Sequence, residues 1–270
     1  MTKIIAIINQ KGGVGKTTTT VNLGAALAEK GKKVLLFDMD AQSNMTTHLG
    51  VGVQEGDFQE GIEDVEYPSS YDILKGSKTV AECVVHRSKN LDVVPSSLSL
   101  SAADLELGGV VGRELILKRA LTNIQDNYDY IIIDCPPALG LLSLNALAAA
   151  DSVIIPVQSE YLALHGVRQL LDTIEQVKSV FNPVLRVMGV LICLHDIRKK
   201  LARAVSDTIR TYFGDLVFET VIKTNVALAE APSDGKTIFE YAPRERGADD
   251  YRELANEIES GNMNKLSREP

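Results

Sequence analysis

The sequence contains little cysteine, and no two cysteines are close together. The three that are present, Cys83, Cys135 and Cys193, are scattered and form no CxxC motif. An odd number of scattered cysteines is typical of reduced intracellular thiols, and it argues against a disulfide framework or a cysteine-based metal site.

Long hydrophobic runs are also missing. No apolar stretch approaches the roughly 20 residues that a membrane-spanning helix needs, and the longest weakly polar tract, residues 139–150, is alanine-rich and short enough to be a core helix. No secretory signal peptide precedes the first predicted strand, which starts at Lys3. We therefore predict a cytoplasmic protein that does not span a membrane.

Positive charge is in deficit. The chain has 28 Lys and Arg against 36 Asp and Glu, which gives a net charge of −8 at pH 7. This balance argues against a protein that is permanently coated with DNA, although it allows a local basic face. The length of 270 residues fits one α/β domain or two small ones, and a hydrophobic content of 45% is ordinary for a globular protein.

The most informative stretch that is present is a glycine loop near the beginning of the chain. Residues 4–8 are apolar, residues 10–19 read QKGGVGKTTT, and a helical pattern follows. This order is typical of a phosphate-binding loop, because glycines let backbone N–H groups converge on phosphate oxygens and the helix directs its positive dipole end at the same anion. The alternative is an ordinary glycine-rich turn before a helix.

The side chains of the loop have distinct predicted roles. We expect Lys16 to reach the β- and γ-phosphates of a nucleotide, and the hydroxyl of Thr17 to be a ligand of Mg²⁺. The predicted nucleotide contacts in the loop are Gly12, Gly13, Val14, Gly15, Lys16, Thr17 and Thr18.

The loop departs from the general GxxxxGK[ST] pattern at two positions. Gln10 stands where that pattern has its first glycine, and a second lysine, Lys11, lies inside the loop. The stretch KGGVGKT resembles the deviant Walker A motif of the ParA/MinD family of dimerising ATPases. The resemblance implies a nucleotide-sandwich homodimer in which Lys11 reaches the nucleotide of the partner subunit and serves as a catalytic residue. Taken alone, Lys11 is also compatible with a solvated loop lysine.

Two aspartates follow the second predicted strand. Residues 33–37 read as a buried strand, and they place Asp38 and Asp40 at its carboxyl end, where ligand-facing residues of a parallel sheet collect. The spacing of two directs both side chains to the same side. The family resemblance implies that Asp40 positions the attacking water and that Asp38 lies near Mg²⁺. The alternative for either aspartate is an N-cap of the short helix predicted from residues 43–44.

A further acidic residue ends another apolar strand. Residues 130–134 read YIIID and are followed by two prolines, Pro136 and Pro137. A strand of this kind after a phosphate-binding loop predicts a Walker B element, in which Asp134 holds a water bound to Mg²⁺. The loop after it resembles the family's switch segment, which senses the γ-phosphate.

The rest of the chain continues an alternation of strands and helices. This alternation predicts a mostly parallel sheet covered by helices on both faces, an α/β fold with a single P-loop NTPase domain. The resemblance covers residues 3–259, so we predict an ATPase domain over residues 1–260 and a short polar tail over 261–270. Further strands are predicted at residues 91–95, 152–156 and 186–193, and further helices near residues 98–107, 113–123, 199–213 and 247–259, with His165 as a structural residue at a helix start.

Residues 224–233 resemble the ParA segment that lines the adenine pocket and the dimer edge. The resemblance implies that Asn225 and Pro232 contact the nucleotide.

Residues 54–72 hold seven acidic residues and no basic one. Such a run is usually a solvent-exposed loop, and the less favoured alternative is a segment that contacts a partner.

A cluster of basic residues provides the candidate DNA-binding face. Lys199, Arg203 and Arg210 share one helical face by their spacing, although a solvated surface helix would show the same pattern. Ala227 stands where many ParA relatives have an arginine that helps to hold DNA, and Lys223 is the nearby cation that could replace it. The predicted DNA-binding residues are Arg198, Lys199, Lys200, Arg203 and Lys223.

The family resemblance implies Mg²⁺-dependent, slow ATP hydrolysis that works as a timer. The ATP-bound homodimer would bind non-specific DNA and associate with the nucleoid, and a ParB-like centromere-binding partner would stimulate hydrolysis and release it. The cargo could be a chromosome, a plasmid or a protein assembly. A MinD- or FlhG-like membrane or pole system is the alternative, disfavoured because the tail has only two large hydrophobic residues. A metabolic enzyme such as a nitrogenase-iron-protein relative ranks last, since no convincing cysteine pattern supports it.

Overall fold

The computed structural model describes residues 2–51, 67–160 and 163–261, and for residues 163–165 the backbone alone. In this part of the chain, eight strands form one sheet in the order β3-β4-β2-β5-β1-β6-β7-β8. Neighbouring strands are parallel, except that β3 pairs with β4 in the antiparallel sense. The strands are β1 Lys3–Ile7, β2 Val34–Asp38, β3 Val85–Ser88, β4 Leu91–Val94, β5 Tyr130–Asp134, β6 Ser152–Gln158, β7 Arg186–His195 and β8 Val217–Lys223.

Helices connect the strands. The α-helices are α1 Lys16–Glu29, α2 Asn44–His48, α3 Ser70–Lys75, α4 Val80–Cys83, α5 Ala103–Glu106, α6 Ile116–Leu121, α7 Leu141–Ala149, α8 Ala163–Val180, α9 Lys200–Phe213, α10 Val226–Glu230, α11 Ile238–Tyr241 and α12 Arg246–Ser260. Short 3-10 turns lie at Leu98–Ala102, Arg113–Leu115, Gln125–Asn127, Gly214–Leu216 and Ala231–Asp234.

The central strands are apolar along their whole length because both faces of the sheet are covered. Successive side chains of a strand point to opposite faces. Ile4 and Ala6 of β1 therefore pack with helices α6 to α9 on one side, whereas Ile5 and Ile7 pack with α1 and α12 on the other. This arrangement confirms the predicted sheet with helices on both faces.

The order of three strands assembles the site. Strand β5 lies between β2 and β1, and the pairing register sets Asp134 beside both Ile7 and Asp38. The glycine loop leaves β1 just after Ile7. Because the three strands are parallel, their carboxyl ends meet at one edge of the sheet. The loop and the two aspartates are therefore brought together by topology.

Most predicted elements are present, with some differences at their ends and some omissions. Strand β7 continues two residues beyond the predicted end, and α9 begins at Lys200 with Lys199 as its N-cap. Strand β3 was not predicted, because it is an exposed edge strand without apolar alternation. Strand β8 and the short helices α3 and α4 were also missed.

Two sequence predictions fall largely outside the described residues. Residues 54–66 of the acidic stretch and residues 262–270 of the tail are not covered. The described end of the acidic stretch is ordered around Asp72, whose carboxylate accepts hydrogen bonds from Ser69 and closes a capping box at the start of α3. The division into a domain of residues 1–260 and a tail stays a prediction.

Candidate nucleotide-binding and hydrolysis site

The glycine loop has the backbone that its composition predicts. Gly13 and Gly15 have positive φ angles of 72° and 93°, which is the left-handed region that favours glycine. A Cβ on Gly15 would lie 3.5 Å from the Cβ of Cys193, an ordinary contact. Backbone conformation, and not lack of space, is therefore the reason for glycine there. Helix α1 begins directly after the loop and has no acidic residue in its first turn, so its N-terminus is free to attract an anion.

Lys16 is the cation inside the loop. Its side chain is largely buried, and Nζ donates a hydrogen bond to the carbonyl oxygen of Lys11 at 3.1 Å. Burial lowers the pKa of Lys16, and the nearby Asp134 and Asp40 carboxylates partly offset this effect. The ammonium group is thus held against the backbone of the glycine loop, where it would meet a phosphate bound by the loop.

Asp134 lies at the end of β5 and is 1% exposed. Its Oδ2 accepts a hydrogen bond from the Thr17 hydroxyl at 2.7 Å, and the Thr20 hydroxyl lies 3.1 Å from Oδ1. Burial and, to a smaller extent, the neighbouring Asp38 charge raise the pKa of Asp134 to about 8, against the lowering effect of these hydroxyls and Lys16. The direct bond between Thr17 and Asp134 brings together two of the three residues that were predicted at the Mg²⁺ site.

Asp38 is completely buried, and most of its acceptor capacity is used. Oδ1 accepts from the Asp40 backbone N–H at 3.1 Å, and Oδ2 accepts from the N–H and the hydroxyl of Thr46 at 3.0 and 2.7 Å. Burial raises the pKa of Asp38 to about 6, although these hydrogen bonds lower it. Since each carboxylate oxygen has two acceptor sites, Oδ1 alone keeps one for a further ligand.

Asp40 lies in the turn between β2 and α2 and is 8% exposed. Its Oδ1 accepts from the Gln42 backbone N–H at 3.0 Å. Ser43, with a positive φ of 53°, occupies the N-cap position of α2. Neither aspartate is therefore the N-cap residue of α2, although the Asp38 carboxylate accepts from the Thr46 N–H in the first turn of that helix. Asp40 lies close enough to Lys16 to affect its pKa.

The donor set fits a magnesium ion that is bound mainly through a nucleotide. Asp134 and Asp38 are two buried carboxylates of like charge, and Thr17 adds a hydroxyl oxygen. Oxygen donors of this kind suit Mg²⁺, which commonly takes one or two protein ligands and completes its shell with phosphate and water. Within the described residues, no group of three or more His, Cys, Asp or Glu side chains could hold a metal by itself.

Lys11 differs from Lys16 in exposure. Its Nζ forms an ion pair with Glu160 from the loop after β6, and both side chains are about half exposed, at 45% and 49%. The Lys11 backbone N–H donates to Asn9 Oδ1 at 3.0 Å, and Asn9 Nδ2 donates to the Pro156 carbonyl at 2.7 Å. The backbone at Lys11 is thus fixed to the neighbouring strand, while its ammonium group remains at the surface.

The predicted nucleotide-base residues lie in a segment that is tied to α1. Asn225 caps α10 through Leu228 N–H at 3.2 Å, and Pro232 lies in the following 3-10 turn. Asn22 of α1 donates to the carbonyl of Thr18 and accepts from Ile238 N–H at 2.8 Å. These bonds hold the segment beside the phosphate-binding helix, and the contacts of Asn225 and Pro232 with a base stay a prediction.

The predicted basic face divides into paired and unpaired cations. Arg198 forms an ion pair with Asp196 at 2.9 Å, and Lys223 forms one with Asp250 at 2.5 Å. Lys199, Lys200 and Arg203 are exposed and have no ion pair within the described part of the chain. Arg210, on the same helical face, is directed toward Glu219.

Sequence reasoning missed some residues of the site. Thr20 contacts Asp134, Thr46 contacts Asp38, and Asn22 joins α1 to α11. The threonine run 17–20 gave one signal, since Thr20 follows Lys16 by one helical turn. Nothing in the sequence indicated Thr46, because its contact with Asp38 depends on the conformation of the turn between β2 and α2. His165 lies in the first turn of α8, and its side chain is outside the described part.

A glycine loop at a helix N-terminus, with a buried lysine and an acid from the neighbouring strand, defines a P-loop nucleotide-binding protein. The profile of the AAA domain family (AAA_31) matches residues 2–187. The chain is 50% identical over 259 residues to the sporulation initiation inhibitor protein Soj of Bacillus subtilis, and the match covers 96% of this chain and 98% of Soj. It is 45% identical over 262 residues to the chromosome-partitioning ATPase Soj of Treponema pallidum, covering 96% and 97%. The chain therefore belongs to the Soj/ParA family of P-loop ATPases.

A solved structure shows the same fold with ligands present. Cobyrinic acid a,c-diamide synthase from Mycobacterium smegmatis, with a bound ATP analogue and magnesium, superimposes with a TM-score of 0.80 at 35% sequence identity, covering 99% of this chain and 98% of the synthase chain. Within residues 2–51, 67–160 and 163–261, no helix is long and apolar enough to cross a membrane.

Proposed function

We propose that this protein is a partitioning ATPase that uses ATP and Mg²⁺ as its cofactors and works as a dimerisation switch. The ATP-bound dimer binds non-specific DNA on the nucleoid, and a ParB-like partner stimulates its slow hydrolysis and so releases it. The observation that carries the proposal is the presence of two lysines in one P-loop, one buried beside Asp134 and the other exposed. The partitioning role is supported by the name of the Treponema pallidum relative, a chromosome-partitioning ATPase.

The catalytic logic of such a site is positioning and charge neutralisation. Backbone N–H groups of residues 12–16 and the Lys16 ammonium would bind the β- and γ-phosphates. Thr17 and Asp134 would hold Mg²⁺, which neutralises charge on the phosphate oxygens. Asp40, at the end of β2 and partly open to solvent, is the carboxylate available to orient a water molecule. Asp38, with one acceptor site left, holds the backbone of Asp40.

Lys11 supports the dimer part of the proposal. Its ammonium group is at the surface and is paired only with an exposed carboxylate. Ion pairs of this exposure contribute at most about 1 kcal/mol, so a nucleotide phosphate on a second copy of the chain can compete for the lysine. A second cation delivered in this way would neutralise developing charge as an arginine finger does.

The unpaired cations at the start of α9 support the DNA-binding part. Lys199, Lys200 and Arg203 have no acidic partner within the described residues, so their charge is available to phosphate. A monomer with a net charge of −8 should bind DNA weakly. Two copies of the patch on one dimer would bind more tightly, which couples DNA affinity to ATP.

A protein cargo or a MinD/FlhG-like membrane or pole system remains the alternative use of the same switch. A metabolic role is a separate candidate, favoured by the name of the M. smegmatis structure. The two classes differ in turnover. A switch has a basal rate of at most about a few per minute that rises with DNA and partner, whereas a synthetase turns over steadily on a small acceptor.

The decisive experiment measures ATP hydrolysis by the purified protein alone, with random duplex DNA, and with DNA and a ParB-like protein. We expect a low basal rate and the highest rate with both additions. The Lys118→Ala variant, which removes an exposed lysine of α6, should behave as wild type, and Lys11→Ala should bind ATP without stimulation. Steady turnover that ignores both DNA and partner would contradict the switch.

A further inference from the structure

The hydroxyl of Thr46 bridges two segments that flank the catalytic edge. Thr46 is 2% exposed, and its Oγ1 lies 2.7 Å from Asp38 Oδ2 and 2.9 Å from the backbone nitrogen of Ser96. A backbone N–H can only donate a hydrogen bond, so Oγ1 accepts from Ser96. The single proton of the hydroxyl is therefore donated to Asp38.

Asp38, which the Thr46 hydroxyl holds in position, also contacts the backbone of Asp40. Its Oδ1 accepts from the Asp40 backbone N–H at 3.1 Å. Asp40 itself lies in a tight turn, in which Gln42 N–H donates to Asp40 Oδ1 at 3.0 Å and Ser43 N–H donates to the Asp40 carbonyl at 2.9 Å. The turn is internally closed, and the bond to Asp38 fixes it to the end of β2.

The other end of the bridge is anchored independently of the P-loop. Ser96 follows β4, the strand next to β2. Its carbonyl accepts a hydrogen bond from the Tyr67 hydroxyl at 2.9 Å, and the Pro95 carbonyl accepts one from Ser70 N–H at 2.8 Å. The Thr46 hydroxyl thus connects the anchored segment after β4 to Asp38 and, through Asp38, to Asp40.

We propose that Thr46 is a positioning residue for ATP hydrolysis, whose hydroxyl fixes Asp38 and, through it, the backbone of Asp40. The inference rests on the proposed function, which assigns Asp40 to the attacking water. Removal of the hydroxyl would leave the buried Ser96 N–H without its acceptor and Asp38 without one donor. The turn could then shift by a fraction of an ångström to an ångström, and a displacement of that size at a reacting group costs up to about 100-fold in rate.

The test compares three substitutions in the full-length protein. Thr46→Val keeps the side-chain shape without the hydroxyl, Thr46→Ser keeps the hydroxyl, and Thr47→Val makes the same change at the exposed neighbour. We expect Thr46→Val to lower kcat by about 10- to 100-fold with KM for ATP within about twofold. Thr46→Ser should recover most of the rate, and Thr47→Val should match wild type.

A second measurement separates positioning from a general loss of structure. Thr46→Val is added to Asp40→Ala, and residual hydrolysis is followed with radiolabelled ATP. If Thr46 acts through Asp40, the double variant should be no slower than Asp40→Ala alone, whereas a structural defect would slow it further. ATP affinity of the single variant, measured with a fluorescent ATP analogue, should remain near wild type.

The outcomes are distinguishable. A wild-type protein without ATPase activity, or an Asp40→Ala variant that hydrolyses ATP normally, removes the proposed function and this inference with it. Normal wild-type activity, an inactive Asp40→Ala and a Thr46→Val kcat within twofold of wild type would overturn the role of Thr46 alone. So would a double variant that is clearly slower than Asp40→Ala.

Discussion

Two regions at the carboxyl edge of the sheet use charge in opposite ways. At β2, β5 and β1, carboxylates are buried and joined to hydroxyls and backbone N–H groups. At the ends of β7 and β8 and on α9, cations lie at the surface, and some are paired with acids of the same chain. Unpaired buried charges are costly. The buried carboxylates are therefore held in place by hydrogen bonds that the fold itself provides. The basic face keeps exposed charges that a polyanion can contact without desolvating a core.

Removal of the buried cation Lys16 should have the largest effect on the buried site. We expect Lys16→Ala to reduce ATP binding or Mg²⁺-dependent hydrolysis by at least about 100-fold, because no other buried cation faces Asp134 and Asp40 among the described residues. Titration with an ATP analogue and a hydrolysis assay measure the two losses separately. Normal ATPase activity in this variant would remove the P-loop assignment.

The next contrast lies between hydrolysis and dimerisation. Asp40→Ala should retain ATP binding and lose turnover, so the protein should accumulate as a dimer whose mass doubles on ATP addition in light scattering. Lys11→Ala should bind ATP and remain a monomer, with little change in folding stability, because its ion pair is exposed. An Asp40→Ala protein that stays monomeric at saturating ATP would contradict the switch.

The basic face should respond more weakly to single changes. In the Asp40→Ala background, replacing Lys199, Lys200 and Arg203 together with alanine should weaken binding of random duplex DNA in the presence of ATP. The slope of log affinity against log salt should flatten by about 0.9 for each DNA phosphate that the variant no longer neutralises. Arg198→Ala and Lys223→Ala should have smaller effects, since both side chains already have acidic partners.

Gel shifts with and without ATP measure these differences, and a Lys118→Ala control should leave them unchanged. If ATP makes no difference, or the triple variant binds as well as its parent, the start of α9 is not the DNA surface. A protein scaffold would then be a better candidate than DNA for the surface that the ATP-bound dimer binds.

The smallest expected effect concerns stability in the absence of nucleotide and metal. The pKa of Asp134 is raised by burial from 3.8 to about 8, so the folded state binds its proton more tightly than the unfolded state does. By linkage, this group lowers stability as pH rises from about 4 to 8. Asp134→Asn should therefore raise the melting temperature at pH 8 and change it much less at pH 4. Equal shifts at both pH values would contradict this origin.

The nucleotide end of the fold was largely predictable because its motif is continuous in sequence. A strand, a glycine loop and a helix follow one another within residues 3–29, so local chemistry alone determined the positive-φ glycines and the place of Lys16 at the start of α1. The apolar runs before Asp38 and Asp134 likewise predicted buried parallel strands, and with them an acidic residue at each carboxyl end.

The tertiary structure decided which distant groups meet. Thr46 reaches Ser96 across 50 residues, and Lys11 meets Glu160 across 149. Lys223 likewise meets Asp250 across 27 residues, whereas Asp196, the partner of Arg198, is a neighbour in sequence. A sequence lists the donors and acceptors of a chain, but hydrogen bonds act over about 3 Å. The strand order β4-β2-β5-β1-β6 places Thr46 beside Ser96 and Lys11 beside Glu160, within that distance.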